Sequence, residues 1–175
     1  MAQLVIISTG VCLAEGVSPT DNIVVLETNQ GDIEIELMYK LAPKACENFV
    51  GLVRRGYYDG LVFHRVIRGF MIQAGDPSGT GEGGTSIWGR PFEDEVFSEI
   101  TFDGVGLVAM ANSGPDSNNS QFFITTAATP WLNMRHTIFG RIVSGYDTVQ
   151  KIEAAATDSS DRPVEMQGIL SAYVK

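Results

Sequence analysis

The feature that most constrains this chain is the alternation of short β-branched or aromatic runs with turn-forming residues. VFHRV, FMIQAG, VGLVAMA, QFFITT, HTIFGRIV and QGILSAYV follow one another with Gly, Pro, Asn and Asp between them. Runs of that length match strands and are short for helices. Upstream, NIVVLETNQGDIEIELM holds two more such runs around Asn29, Gln30 and Gly31. Ile33, Ile35 and Leu37 alternate there with Asp32, Glu34 and Glu36, the period-two pattern of a strand with one wet face, so this stretch reads as a hairpin.

Two stretches follow a different period. In APKACENFVGLVRRGYY, Pro43 suits a first helical position, Cys46, Phe49, Val50 and Val53 form a stripe at spacing three and four, and Gly56 supplies a stop. GYDTVQKIEAA predicts a second helix with Val149 and Ile152 turned inward. Many short strands with two helices fit a barrel or sandwich whose ends the helices cover. A chain of 175 residues with 44% hydrophobic content can bury one substantial core. EGVSPTDN, residues 15–22, reads as a loop that sets an extension, residues 1–21, apart from the main domain, residues 22–175.

Charge and composition exclude several functions. A net charge of −9 argues against direct nucleic-acid binding, which needs clustered Lys and Arg. Cys12 and Cys46 are too few for a disulfide framework and match no zinc spacing, so no metal is expected and a reducing compartment is. The opening MAQLVIISTGVCLAEG has an apolar run and a cleavage-like CLA but lacks the positively charged start of a secretory leader. A nuclear or cytoplasmic location is therefore expected, with no membrane partner, since no apolar segment is long enough to span a bilayer. GTGEGG, residues 79–84, satisfies the GxGxxG pattern of dinucleotide sites, but Gly89 and Pro91 would break the helix that such a site requires. It reads better as a flexible surface loop, and no cofactor is expected. Asn118, Asn119 and Ser120 form a sequon that matters only on secretion. His64 and His136 are the two histidines, with neither a hydrolase serine motif nor a third metal ligand beside them.

FHRVIRGFMIQAGD, Phe63 to Asp76, sets His64, Arg65 and Arg68 among apolar residues. Three readings stand open: an interrupted hairpin, an anion or nucleotide site, or a pocket whose arginine serves chemistry in an apolar cleft. With VAMANSGPDSNNSQFFIT and WLNMRHTIFGR, this stretch resembles the cyclophilin family of peptidyl-prolyl cis/trans isomerases. FHRV, FMIQ, GDP, FEDE, MAN, SQFFI and HTIFGR stand in the family's order from about Ile23 to the C-terminus. GDPSGTGEGGTSIWG is most similar to the short, single-domain members associated with the spliceosome.

The resemblance implies a closed eight-stranded antiparallel β-barrel capped by two α-helices, acting without a cofactor on X-Pro bonds of peptides and proteins, spliceosomal proteins among them. It places Arg65 as the donor to the prolyl nitrogen and Gln73 as the residue that orients it. Phe70, Met71, Phe123 and Leu132 would receive the proline ring. Ala111 and Asn112 would clamp the residue before proline, while Gly81, Gln121, Trp131 and His136 line the same groove. Trp131 further implies binding of the cyclic peptide cyclosporin. An isolated aromatic on a strand is more often simply core. The Arg and Gln between these aromatics favour a groove, because burying either unpaired is costly. Asn133, Met134 and Arg135 depart from the family's usual Asp-Gly turn and lysine, so the local loop is expected to differ. Glu82, Arg90 and Ser113 match the rim of a neighbouring pocket, with mixed charge and no inferable preference. The LVIIS segment could add an edge strand, pack on a partner or touch a neighbouring chain. The rival reading is a proline-recognition module of a splicing complex in which turnover is incidental.

Overall fold

The computed structural model describes residues 22–175. Readings that fall on residues 1–21, including Cys12, LVIIS and the leader-like opening, lie outside the described residues. The first elements are β1 (Ile23–Thr28), β2 (Gly31–Leu37) and α1 (Pro43–Arg54). Four short strands follow: β3 (Arg65–Ile67), β4 (Met71–Ala74), β5 (Leu107–Met110) and β6 (Phe122–Thr125). A 3-10 turn at Pro130–Leu132 leads into β7 (Ile138–Ser144), α2 (Tyr146–Glu153) and β8 (Ile169–Val174).

The expected hairpin forms, with Val24 opposite Ile35 and Leu26 opposite Ile33. Ile33 and Ile35 are fully buried, while Glu36 and Glu34 on the wet face meet Arg141 and Lys175. All eight strands pair antiparallel in the order β3-β4-β6-β5-β7-β2-β1-β8, curled into a half-barrel. The expected closed barrel is corrected here, because β3 and β8 stand at opposite ends of the order and share no ladder. The reason is local. β3 has three residues, and the Val66 N–H donates to the Asp161 carbonyl in the loop before β8 at 2.8 Å rather than to a strand. The gap is stitched by irregular backbone bonds, Phe63 N–H to the Gln167 carbonyl and Ile169 N–H to the Leu61 carbonyl, each 2.8 Å.

α1 packs on β7 and β8, and α2 on β2, β3 and β4. The Phe49 ring of α1 lies 5.1–5.2 Å from Tyr58, Phe122 and Phe139, which centres the main core inside the curl. Val149 and Ile152 of α2 are fully buried, as the periodicity predicts. No helix among the described residues is long and apolar enough to cross a membrane.

The start of α1 has no side-chain cap of its own, since Ala42 precedes Pro43. Glu95, fifty residues away, supplies it: its carboxylate accepts from the Lys44 N–H at 3.1 Å and the Ala45 N–H at 2.9 Å. Burial pushes this carboxyl above its ordinary value, and the two N–H bonds oppose that rise. Glu95→Ala is expected to lower stability by about 1–2 kcal/mol in urea unfolding, the range for loss of a helix cap. An unchanged midpoint would show that water replaces the carboxylate without cost.

Candidate functional site

Period two along β4, β6 and β5 sends Ile72, Ala74, Phe122, Ile124, Val108 and Met110 into the main core. The intervening residues turn to the other face, where Met71, Ala109 and Phe123 join Phe102 and Ile138 in a second buried cluster. Ile67, Phe70, Leu107, Ala111 and Leu132 pack against it, partly buried. The result is an apolar patch on the outer face of the sheet, the candidate recess. Trp131 is 58% exposed at its rim, with its ring 5.8 Å from Phe70, and His136 stands edge-on to Phe123 at 5.4 Å.

The register sets a polar row beside this recess. Arg65 pairs across the ladder with Gln73, and Gln73 with Phe123. Arg65 Nη1 lies 3.5 Å from Gln73 Oε1, and Nε lies 3.8 Å from Asp161 Oδ2. Both contacts are long, and the side chain is 45% exposed, so the guanidinium is incompletely paired. Gln73 Nε2 donates to Gln121 Oε1 at 2.8 Å, and Gln121 Nε2 donates to the Gly81 and Gly83 carbonyls at 2.9 and 2.7 Å. The other arginine of the stretch serves structure: Arg68 Nη2 donates to the Ala154 carbonyl at the C-terminal end of α2, 3.1 Å away.

Beyond β5 the chain continues through Ala111 and Asn112. The Ala111 N–H donates to the Gln121 carbonyl at 3.0 Å, and Asn112 Nδ2 donates to the Arg135 carbonyl at 2.9 Å, which fixes this segment along the recess. A cleft of about 320 Å³ opens next to it, lined by Gln73, Gly81–Gly84, Ala111–Ser113, Ser117, Asn119 and Gln121. Glu82 and Ser113 lie on its wall, whereas Arg90 does not line it, so its one charged lining residue is acidic.

The structure thus places Phe70, Met71, Phe123, Leu132 and Ala111 in or against the second cluster, with Trp131 beside Phe70 and His136 beside Phe123, and sets Arg65, Gln73, Gln121, Gly81 and Asn112 along the polar row and the neighbouring cleft. Sequence reading missed Phe102, whose ring stacks on Phe123 at 5.9 Å, and Asp161 beside Arg65. Both sit in irregular segments with no periodicity to flag them. It also passed over Asp76, 1% exposed, which organises the glycine-rich loop. That loop is on the surface as expected, yet it is pinned rather than slack. The GDPSG stretch, an Asp two residues before a Ser among turn formers, is the signal that could have found it. His64 is buried behind Gly81, and burial pushes its imidazole pKa below the ordinary value while Asp76 opposes the shift.

Comparison with known proteins agrees with this geometry. Residues 23–174 match the family model described as cyclophilin type peptidyl-prolyl cis-trans isomerase/CLD. Peptidyl-prolyl cis-trans isomerase-like 1 of Mus musculus is 55% identical over 86% of this chain and 90% of its own length. A peptidyl-prolyl cis-trans isomerase of Schizosaccharomyces pombe is also 55% identical, over 84% of this chain and 95% of that protein. A crystal structure of a cyclophilin type isomerase from Cryptosporidium parvum superposes with a TM-score of 0.86 at 42% identity, covering 88% of this chain and 97% of that one. A second structure of the same protein, in the presence of the dipeptide Ala-Pro, gives 0.85 at 42% identity, covering 87% of this chain and 98% of that one. This chain belongs to the cyclophilin-type peptidyl-prolyl cis-trans isomerases.

In the Asn133–Arg135 turn Met134 adopts a left-handed φ of 60°. For a residue with a long side chain that conformation costs about 1–2 kcal/mol. Its side chain is 56% exposed, so it has little packing to lose. Met134→Gly is expected to raise stability by up to about 1 kcal/mol in urea unfolding, part of the relief being offset by the freer unfolded chain. A lower midpoint would show that the methionine's contacts outweigh its strain.

Proposed function

We propose that the recess and its polar row hold an X-Pro segment and twist its imide bond, with Arg65 as the catalytic residue. Rotation about that bond faces a barrier of about 18–20 kcal/mol in planar resonance. Only interactions that are stronger in the twisted state lower it. When the bond twists, the prolyl nitrogen regains its lone pair and accepts a hydrogen bond, and the half-exposed Arg65 guanidinium stands beside the recess to donate one. Gln73 holds that guanidinium, because its Oε1 is the acceptor that faces Nη1.

The proline ring enters the cluster of Phe70, Met71, Phe123 and Leu132, where water that would favour the charge-separated planar amide is removed. Ala111 and Asn112 hold the residue before proline as an added strand, with Gly81, Gln121, Trp131 and His136 completing the groove. One side of the bond is gripped while the other turns. The observation that carries this reading is the placement of an incompletely paired arginine at the edge of an apolar recess. The Ala-Pro dipeptide named with the Cryptosporidium structure supports proline-containing peptides as ligands here. Residues 22–175 act as the isomerase domain in this reading, with residues 1–21 an extension to it.

One charge-assisted hydrogen bond is worth about 1.5–3 kcal/mol, or roughly ten- to somewhat over a hundredfold in rate. Arg65→Ala is expected to lose that much kcat/KM in a proline-peptide exchange assay, and Arg65→Lys to recover little, because a lysine lacks the planar fork. In the same assay cyclosporin is expected to compete with the peptide by seating against Trp131. Full activity of Arg65→Ala would overturn the assignment, and the absence of competition would remove the cyclosporin site.

The GDPSGTGEGGTSIWG stretch, most similar to the spliceosome-associated members, supports proline-bearing segments of spliceosomal proteins as substrates, in a nuclear or cytoplasmic setting. Capture of the full chain from a nuclear extract is expected to bring splicing proteins with it, lost when proline peptide is added. Recovery of general folding clients alone would point to a housekeeping role in folding.

A further inference from the structure

We propose that Asp76 is a positioning residue for isomerisation: its carboxylate fixes the Gly81 peptide, which through Gln121 and Gln73 fixes the Arg65 guanidinium. The inference rests on Arg65 being the donor to the prolyl nitrogen. Asp76 does not line the cleft, and it lies at the far end of the row, behind the glycine-rich loop. Its two oxygens accept from the Ser78 N–H at 2.8 Å, the Thr80 N–H at 3.0 Å and the Gly81 N–H at 2.6 Å, and the Ser78 hydroxyl adds bonds of 2.8 and 2.9 Å. Burial pushes the carboxyl up, but the bonds from Ser78 and the loop amides outweigh it and hold it at about 2.

Gly81 is where this cluster meets the catalytic row. Its N–H is held by Asp76, and its carbonyl accepts from Gln121. An amide side chain has an NH₂ end and an oxygen end, so a line of amides has a direction. Both hydrogens of the Gln121 NH₂ are taken by the Gly81 and Gly83 carbonyls, which leaves its oxygen facing Gln73. Gln73 must then present its NH₂ to Gln121 and its oxygen to Arg65. If the two carbonyls drift, either amide can turn over, and Gln73 would meet the guanidinium donor to donor. In Asp76→Asn one of the two acceptor oxygens becomes an NH₂ that faces backbone N–H groups, so the loop loses part of its anchor without losing side-chain volume.

The test is a cycle of Asp76→Asn and Gln73→Ala in the full chain, assayed on an Ala-Pro peptide well below the unfolding midpoint of each variant. Asp76→Asn alone is expected to lower kcat about tenfold with KM within about twofold, since it acts on the twisted state. Once Gln73→Ala has cut the row, adding Asp76→Asn should change kcat by less than about twofold. A variant that merely loosened the fold would lose the same factor in both backgrounds, and that result, or an effect on KM alone, overturns the proposal. Gly83→Ala is the second variant: a Cβ there would run into Asp76 Oδ1, and its φ lies outside the left-handed region, so it should displace the carboxylate and reproduce the kcat loss. It carries the same cycle if Asp76→Asn does not fold. Activity retained by Arg65→Ala would remove the underlying site reading, whereas an inactive Arg65→Ala with an additive cycle removes this inference alone.

Discussion

The whole molecule depends on three adjacent strands, β4, β6 and β5, burying both of their faces. One face closes the main core around Phe49. The other is covered by Phe102 and by the partly buried Phe70 and Leu132, which come from turns rather than from a second sheet. Turns cover a sheet incompletely, and the uncovered remainder is the recess. Its floor is rigid because each strand is locked from behind by the core, so the aromatic wall and the Arg65–Gln73 pair keep their spacing. A helix packed on that face would have given a more complete core and no groove.

How much of this could be read in advance follows the range of the interactions. The β1–β2 hairpin, α1 and α2 are written in local periodicity, and the structure has them where alternation and stripes put them. The candidate site residues were named by resemblance and by the oddity of Arg65 and Gln73 among aromatics. Cross-strand register then gathers them, pairing Arg65 with Gln73 and Gln73 with Phe123, which no window of sequence displays. The same limit explains the misread closure. Eight strands suggest a complete ring, but whether its ends pair depends on how β3 and the 154–168 loop compete for the same donors, and that contest is decided in space. Phe102 and Asp161 were invisible for the same reason.

Polar groups in this fold act at a distance from their own elements. Glu95 caps a helix to which it does not belong. Its neighbour Asp94 accepts from Asn118 at 2.8 Å and from the Asp116 N–H at 3.0 Å, and Glu93 pairs with Lys44. The FEDE stretch therefore ties α1 to the segment that carries Asn112. Irregular chain here is ordered by carboxylates in the way strands are ordered by ladders, which is why loops that look slack in sequence can hold a precise groove.

The unpaired ends of the sheet have one more consequence. An outer strand normally offers a row of donors and acceptors on which another chain can build. On β8 that row is occupied in part: Asp59 takes the Ala172 N–H, Leu61 takes the Ile169 N–H, and the Gly60 N–H takes the Ile169 carbonyl. On β3 the Val66 N–H goes to Asp161. Leaving the ring unclosed thus leaves fewer free edge groups on which another chain could build.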